Sequence, residues 1–540
     1  MKRPNEKYRN HLLAHLPGFL DDNPALRAEL RAMHEVVESV LLLDLERVRP
    51  DLEASLPERT GGEKPRDRVV LLRSLLLAVR LEEGRINRWV DALKTKPLLR
   101  ILIGIDPDEA PPSVGAHYRF CKALLKMADP AGRRKAEYSS GNGGRFARNI
   151  GAEQKQHEKM RSSKGACEQM RQRLLGDADL PPTFDDLLID WIVQVGLTCM
   201  IDAEMLPSDK LELSVDGTVH KTHANEHGQP VEEPRPEDAA EQTKGRDRSD
   251  DESGGVRIYS DPDATNRYSN ATESIEFGHL GLGGSIRIDD DTDLPLVSAV
   301  ADPHCGEAPE MMRVVDAFRR SLEEHHPNLR IRAYIADSLH DAKAVYRWCA
   351  AHDIAPIIPL QTDEAPVDAA CPRADDGCTP LCPGSIPMKR HAAPDGKVVY
   401  RCPALRGLRN SEVGRHEWNF DPEWCPRGQE RCTMVDDSSY LTLDRDDHPR
   451  INLPFARGSD TYEEMQRDRT AIERIYSRLH DTIPHGTYRR RYLWQLGGAL
   501  FVLERMARIA RRGYRDELDD FWDELDERMS RDLWQRAAAA

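Results

Sequence analysis

Apolar positions recur every three or four residues along much of the first 200 residues. "DRVVLLRSLLLAVRLEEGRINRWVDAL" and "FDDLLIDWIVQVGLTCMIDAEM" carry the pattern most clearly, and each predicts helix with one packed face. "GIDPDEAPPSV" is a turn cluster between helices, and "AEYSSGNGGRFARNIGAEQKQHEKMRSSKGA" reads as a polar, Gly-rich loop or loosely held helix. After residue 210 the period shortens. "LELSVD", "IEFGHLGLGGSIRI", "LPLVSAVAD", "IRAYIAD" and "APIIPL" are short apolar runs bounded by Gly, Pro or Asp, as strands are. "EAPEMMRVVDAFRRSLEEH" and "DAKAVYRWCAAH" interleave with the later runs at helical spacing. Three strands in succession, then helix, strand, helix and strand, predict a mixed α/β sheet flanked by helices. Helical spacing returns in "YEEMQRDRTAIERIYSRLHDTI" and again from residue 490 onward.

Two stretches interrupt this order. Residues 224–257 are charged and almost devoid of large apolar side chains, a composition that favours disorder. Residues 361–440 hold six of the eleven cysteines. The predicted organisation is therefore a mostly α-helical N-terminal domain (1–205), the first part of an α/β core (206–360), a loop-rich Cys insertion (361–440) and a helical C-terminal part (441–540). No internal repeat is present.

Composition narrows the function classes. At 540 residues, 39% hydrophobic and 31% charged, the chain can build a packed core under a highly charged surface. No apolar run reaches the roughly 20 residues a membrane span needs. The N-terminus lacks the apolar run and cleavage site of a signal peptide. A cytoplasmic protein with no membrane partner is expected. The formal net charge of −16 argues against simple polyanion binding, but local fields decide. Acids concentrate in "VEEPRPEDAAEQ" and "DPDEAPP", arginines in "TYRRRYLW" and "RMARIARRGYR".

Three acids stand out. Asp216 closes the run "LELSVD" just before Gly217, Asp337 closes "IRAYIAD", and Glu473 lies beside the packed face of "DRTAIERIYSRL". In an open α/β sheet, strand ends face the ligand crevice. Each acid also has a plain structural reading. Asp216 could be a turn residue, Asp337 a helix N-cap, and Glu473 an i,i+4 ion-pair partner. If they converge, their hard oxygens suit Mg²⁺ or Mn²⁺, which bind phosphates as well.

In order, these segments resemble insertion-sequence transposases of the DDE class, which have an RNase H-like catalytic core. "LSVDGTVHKTHAN" is similar to that family's first-strand motif. "SDPDATNRYSNATESIEFGHLGLGG" resembles its Asp-Pro-Asp-Ala segment and second strand. "RAYIADSLHDAKAVYRWCAAHDIAPIIPL" resembles the strand, helix and strand around its second Asp, and "RDRTAIERIYSRLHDTI" its Arg-x-x-x-Glu-Arg helix. With a similar helical N-terminal region, the resemblance runs from about residue 66 to residue 510. It implies an RNase H-like mixed sheet, a triad of Asp216, Asp337 and Glu473 holding Mg²⁺ or Mn²⁺, and DNA as partner. It further implies Arg469, Arg474 and His480 near DNA, a nucleoid-associated location, and a homo-oligomer as the active complex. Gln466 and His480 stand where some relatives have Tyr and Lys, and the acidic stretch after His223 lies outside the common pattern. Rival readings are a DDE-type nuclease that cuts without joining, an inactive DNA-binding remnant, and a phosphohydrolase of small substrates.

Cys371, Cys378, Cys382, Cys402, Cys425 and Cys432 fall between Asp337 and Glu473, four of them followed by Pro. Pro after Cys suits a metal knuckle, and a structural Zn²⁺ takes four thiolates or imidazoles. The spacings are looser than paired CxxC motifs and do not select four ligands from six. Free thiols in a reducing compartment are the alternative.

Overall fold

The computed structural model describes residues 5–20, 23–55, 66–128, 138–140, 165–176, 180, 182–224, 229–230, 256–258, 261, 264–269, 273–301, 306–360, 379–382, 386–392, 397–409, 416–420, 440–444, 449–450, 453–455, 457 and 459–539. The first part is helical, as its periodicity predicts. Arg68–Arg80 begins where Asp67 accepts from the Val69 amide, and Pro97–Ile103 ends at Gly104 in the left-handed region. Phe184–Trp191 opens on a capping box between Thr183 and Asp186 and continues through a π-helical turn, Ile192–Leu197. Among the described residues, no helix is long and apolar enough to cross a membrane.

The central sheet is mixed. Its strands are β1 (Lys210–Lys221), β2 (Thr265–Ser269), β3 (Ser274–Asp289), β4 (Thr292–Ala301), β5 (Arg330–Ile335) and β6 (Ala355–Ile357). Around it lie α1 (Glu307–His325), α2 (Lys343–Ala351), α3 (Thr470–Thr482) and α4 (Arg491–Ala510). β1 is central: it pairs antiparallel with β3 and parallel with β5, and β5 pairs parallel with the edge strand β6. β4 and the short β2 both pair with the other side of β3. Three antiparallel strands followed by two parallel ones, flanked by helices, is an arrangement consistent with an RNase H-like architecture.

The apolar side chains of the N-terminal helices, the sheet and α4 form one continuous core. α4 is buried along most of its length, with Trp494, Phe501 and Met506 among its enclosed residues. Arg511 pairs with the buried Glu38.

Two expectations are corrected. β1 does not stop at Gly217 but runs on to Lys221, because β3 keeps pairing with it as far as Gly278. Asp216 is therefore inside a strand. Its pairing with β5 stops earlier, at Ser214↔Ile335. The Cys insertion is also less loop-rich than expected. Lys389–Ala392, Lys397–Arg401 and Tyr440–Asp444 form a three-stranded antiparallel sheet, and Leu405–Arg409 pairs with His416–Phe420. Val398 and Tyr400 alternate inward in "KVVYR" and pack with Cys382, Met388 and Leu443.

α3 is fixed to the sheet at three points. The Tyr476 hydroxyl donates to the Asp216 carbonyl at 2.5 Å, and the Ser214 hydroxyl donates to the Asp468 carbonyl at 3.0 Å, just before the helix. Arg474 makes a two-pronged pair with Asp293 on β4, both contacts at 2.7 Å, and Asp293 is 1% exposed. Removing the guanidinium leaves a buried carboxylate short of its main partner. Arg474→Leu is expected to cost about 2 kcal/mol, less than a fully buried pair because Arg474 is half-exposed. Urea denaturation measures this, and Asp293→Asn combined with Arg474→Leu recovers part of the loss.

Candidate active site

The site begins where the sheet forks. β1 and β5 run parallel to Ser214↔Ile335 and then part, so Asp216 and Asp337 each follow the last paired residues by two positions. They stand at the same level of adjacent strands. Ala336 still donates to the Ile357 carbonyl, so Asp337 is the first residue released from the sheet. The crevice beyond parallel strand ends is where open α/β sheets bind ligands.

Glycines set which way the acids look. Gly283 is the ladder partner of Asp216, so the two share a face. A side chain at Gly283 would meet the Tyr476 hydroxyl at 2.9 Å and Ile472 at 3.0 Å. Asp216 thus faces α3. Gly217 looks to the opposite side, where a Cβ would lie 2.3 Å from the carboxyl carbon of Glu307. Only glycine leaves room for that acid.

Glu307 is the residue that sequence reasoning missed. It opens α1 just after Gly306, buried against β1, with its Oε1 3.5 Å from His340 Nε2. The other His340 nitrogen lies 2.7 Å from the Tyr334 hydroxyl. An acid in the first turn of a helix has an ordinary electrostatic explanation, which hides any further role. Its signal is in "GEAPEM", an acid after Gly at the start of the helix that follows the third long strand.

The electrostatics follow from this crowding. The Asp216 carboxyl is pushed up to about 7, first by burial, then by the charges of Glu307 and Asp337. The Gly217 amide, which donates to Asp216 Oδ1 at 2.9 Å, and the Arg469 guanidinium pull the other way. Asp337 accepts from the Leu339 amide at 2.9 Å, so it does cap the short turn Ser338–His340. One oxygen suffices for that bond, and a carboxylate has further lone pairs to offer.

The third predicted acid stands differently. Glu473 is half-exposed and pairs with Arg469 one turn back at 2.7 Å, the i,i+4 arrangement. Arg469 thus reaches both acids, as Glu473's partner and as a charge acting on Asp216. Arg474 is committed to Asp293. His480 lies 3.2 Å from His220 Nδ1, and burial and neighbouring His485 bring it down to about 4, so it is uncharged near neutral pH. Cys382 packs in the small apolar cluster and Cys402 is buried nearby in sequence, whereas Cys371, Cys378, Cys425 and Cys432 lie outside the described residues.

Among the described residues, one trio of ligand atoms lies mutually within 4.8 Å: Asp190, Glu324 and His325. Asp190 there already accepts from Ser321 and Gln194. Asp216, Asp337 and Glu473 do not form so tight a group. Asp216 and Asp337 at the fork, with Glu307 on the other face of β1, offer the hard oxygen donors a divalent cation takes.

No family model matches the chain, and no curated protein or solved structure matches it. The functional reading rests on the residues themselves.

A raised carboxyl makes a signed prediction. Protonated Asp216 fits the fold better than ionised Asp216, so its contribution to stability is fullest below the unfolded pKa of about 3.9 and is lost as pH rises to about 7. In cation-free buffer, Asp216→Asn is expected to gain stability relative to the natural protein as pH rises from 4.5 to 8. Thermal unfolding at several pH values checks this. A constant difference would mean that Asp216 titrates normally.

Proposed function

We propose that the chain is a DNA transposase of the DDE type, working by cation-assisted phosphoryl transfer. The supporting observation is the position of Asp216 and Asp337 side by side at the fork, with Asp216 facing the helix that carries Glu473. Bound Mg²⁺ or Mn²⁺ would activate the attacking water or 3′-hydroxyl and stabilise the leaving oxygen. Asp216 and Asp337 would hold the cation, with Glu473 as a third ligand once released from its pair with Arg469. The freed Arg469 then meets a DNA phosphate. Asp216, its carboxyl raised by burial and by Glu307, would give up its proton on taking a cation. The same acids serve end cleavage and strand transfer, because both are in-line displacements at phosphorus.

The test is strand cleavage and joining on DNA carrying the element's own ends, with Mg²⁺ or Mn²⁺. Joined product is expected from the natural protein. Asp216→Ala and Glu473→Gln should each lower its formation by at least roughly a hundredfold while remaining folded. Cleavage without joining would favour a nuclease. Binding without either reaction would favour a DNA-binding remnant, the reading that Glu473's surface ion pair fits equally well. Unchanged activity in Glu473→Gln would reduce that residue to a helix-surface partner of Arg469.

A further inference from the structure

At the opposite end of β1 and β5 from the acids, a cleft of about 910 Å³ opens between the strand starts, α2 and the helix Gly165–Leu175. Its described lining carries five cations, Lys210, Arg330, Arg332, Arg171 and Arg347, and one carboxylate, Asp353. In a chain of net charge −16 this is a local inversion of sign. Low-dielectric walls concentrate such a field inside a cleft.

The cations are arranged by the strands. Lys210 and Arg330 are ladder partners, side by side across the parallel pair. Arg332 is the extra residue of a β-bulge, because Leu211 pairs with Ile331 and Glu212 with Ala333. A bulge re-aims a side chain, and here Arg332 reaches the cleft while its guanidinium sits 5.3 Å above the Phe455 ring. Nearby acids neutralise part of the charge: Glu212 pairs with Arg332 at 2.6 Å, and Glu168 lies 2.6 Å from Arg171 and 3.9 Å from Arg347. Lys210 and Arg330 are exposed, and no carboxylate among the described residues lies within ion-pair distance of either. Among the described residues, five cations stand against three carboxylates.

We infer that this cleft binds the phosphate backbone of a nucleic-acid strand, with Lys210 and Arg330 as its main phosphate contacts. The cations do not converge on one point, as a site for a single small anion would require. They spread over two strands and two helices, as contacts to a chain of several phosphates would. The site is separate from the acid end of the sheet and does not depend on the chemistry proposed there.

The experiment uses the full chain in EDTA, titrated into a labelled duplex, a labelled single strand and a labelled ADP. The natural protein is compared with Lys210→Ala, Arg330→Ala and the double variant. Both side chains are exposed, so the variants are expected to fold normally. The double variant should bind the duplex about tenfold more weakly, and its dependence of log affinity on log salt should flatten by about 1.8 for two lost phosphate contacts. Unchanged affinity and slope would overturn the inference. So would ADP binding that depends on Lys210 and Arg330 without any such dependence for the strands. Manganese binding at Asp216, measured on the same variants, should be unaffected. Its failure would count against the proposed reaction and not against this cleft.

Discussion

Asp216 is held half-buried in the middle of a strand, with the carboxylate of Glu307 across β1 and Asp337 on the neighbouring strand. Like charges this close in a partly desolvated place cannot all ionise cheaply. Either a proton stays on Asp216 or a positive group sits beside the acids. The surrounding structure maintains this crowding and does little to relieve it. Gly217 admits Glu307, Gly283 admits Tyr476, and Tyr476 in turn bonds to the Asp216 carbonyl and fixes its backbone.

The fork in the sheet makes that crowding useful. Had β1 and β5 stayed paired past Ser214 and Ile335, Asp216 would lie beneath a continuous sheet with no room for a ligand. Because β5 leaves while β3 continues, Asp216 keeps its ladder on the β3 side and loses it on the β5 side. α3 closes the face above. Arg474 and Asp293 hold it there. Arg469 pairs with Glu473, and its charge also acts on Asp216.

Much of this was legible in the sequence. The strand–helix order and the helical N-terminal part follow from apolar spacing. The register did not. Nothing in "LELSVDGTVHKTH" tells that β3 would carry β1 on past Gly217, since pairing depends on residues 60 positions away. Glu307 was hidden because an acid at a helix start is ordinary. The strands at 389–444 were overlooked because Pro, Gly, Asp and Asn recur along that stretch as turn signals, although "KVVYR" alternates as a strand should. The ion pair of Glu473 was one of the readings its helical spacing allowed, and spacing alone does not choose among them.

Manganese binding is the direct test of whether the crowded acids form a cation site. Electron paramagnetic resonance would follow free Mn²⁺ during titration of the natural protein, Asp216→Asn and Asp337→Asn at pH 7.5 and at pH 5. Binding by the natural protein at pH 7.5 is predicted, weakened at pH 5 where Asp216 holds its proton, and lost in both variants. Equal binding by all three proteins, or none by the natural one, would contradict the claim.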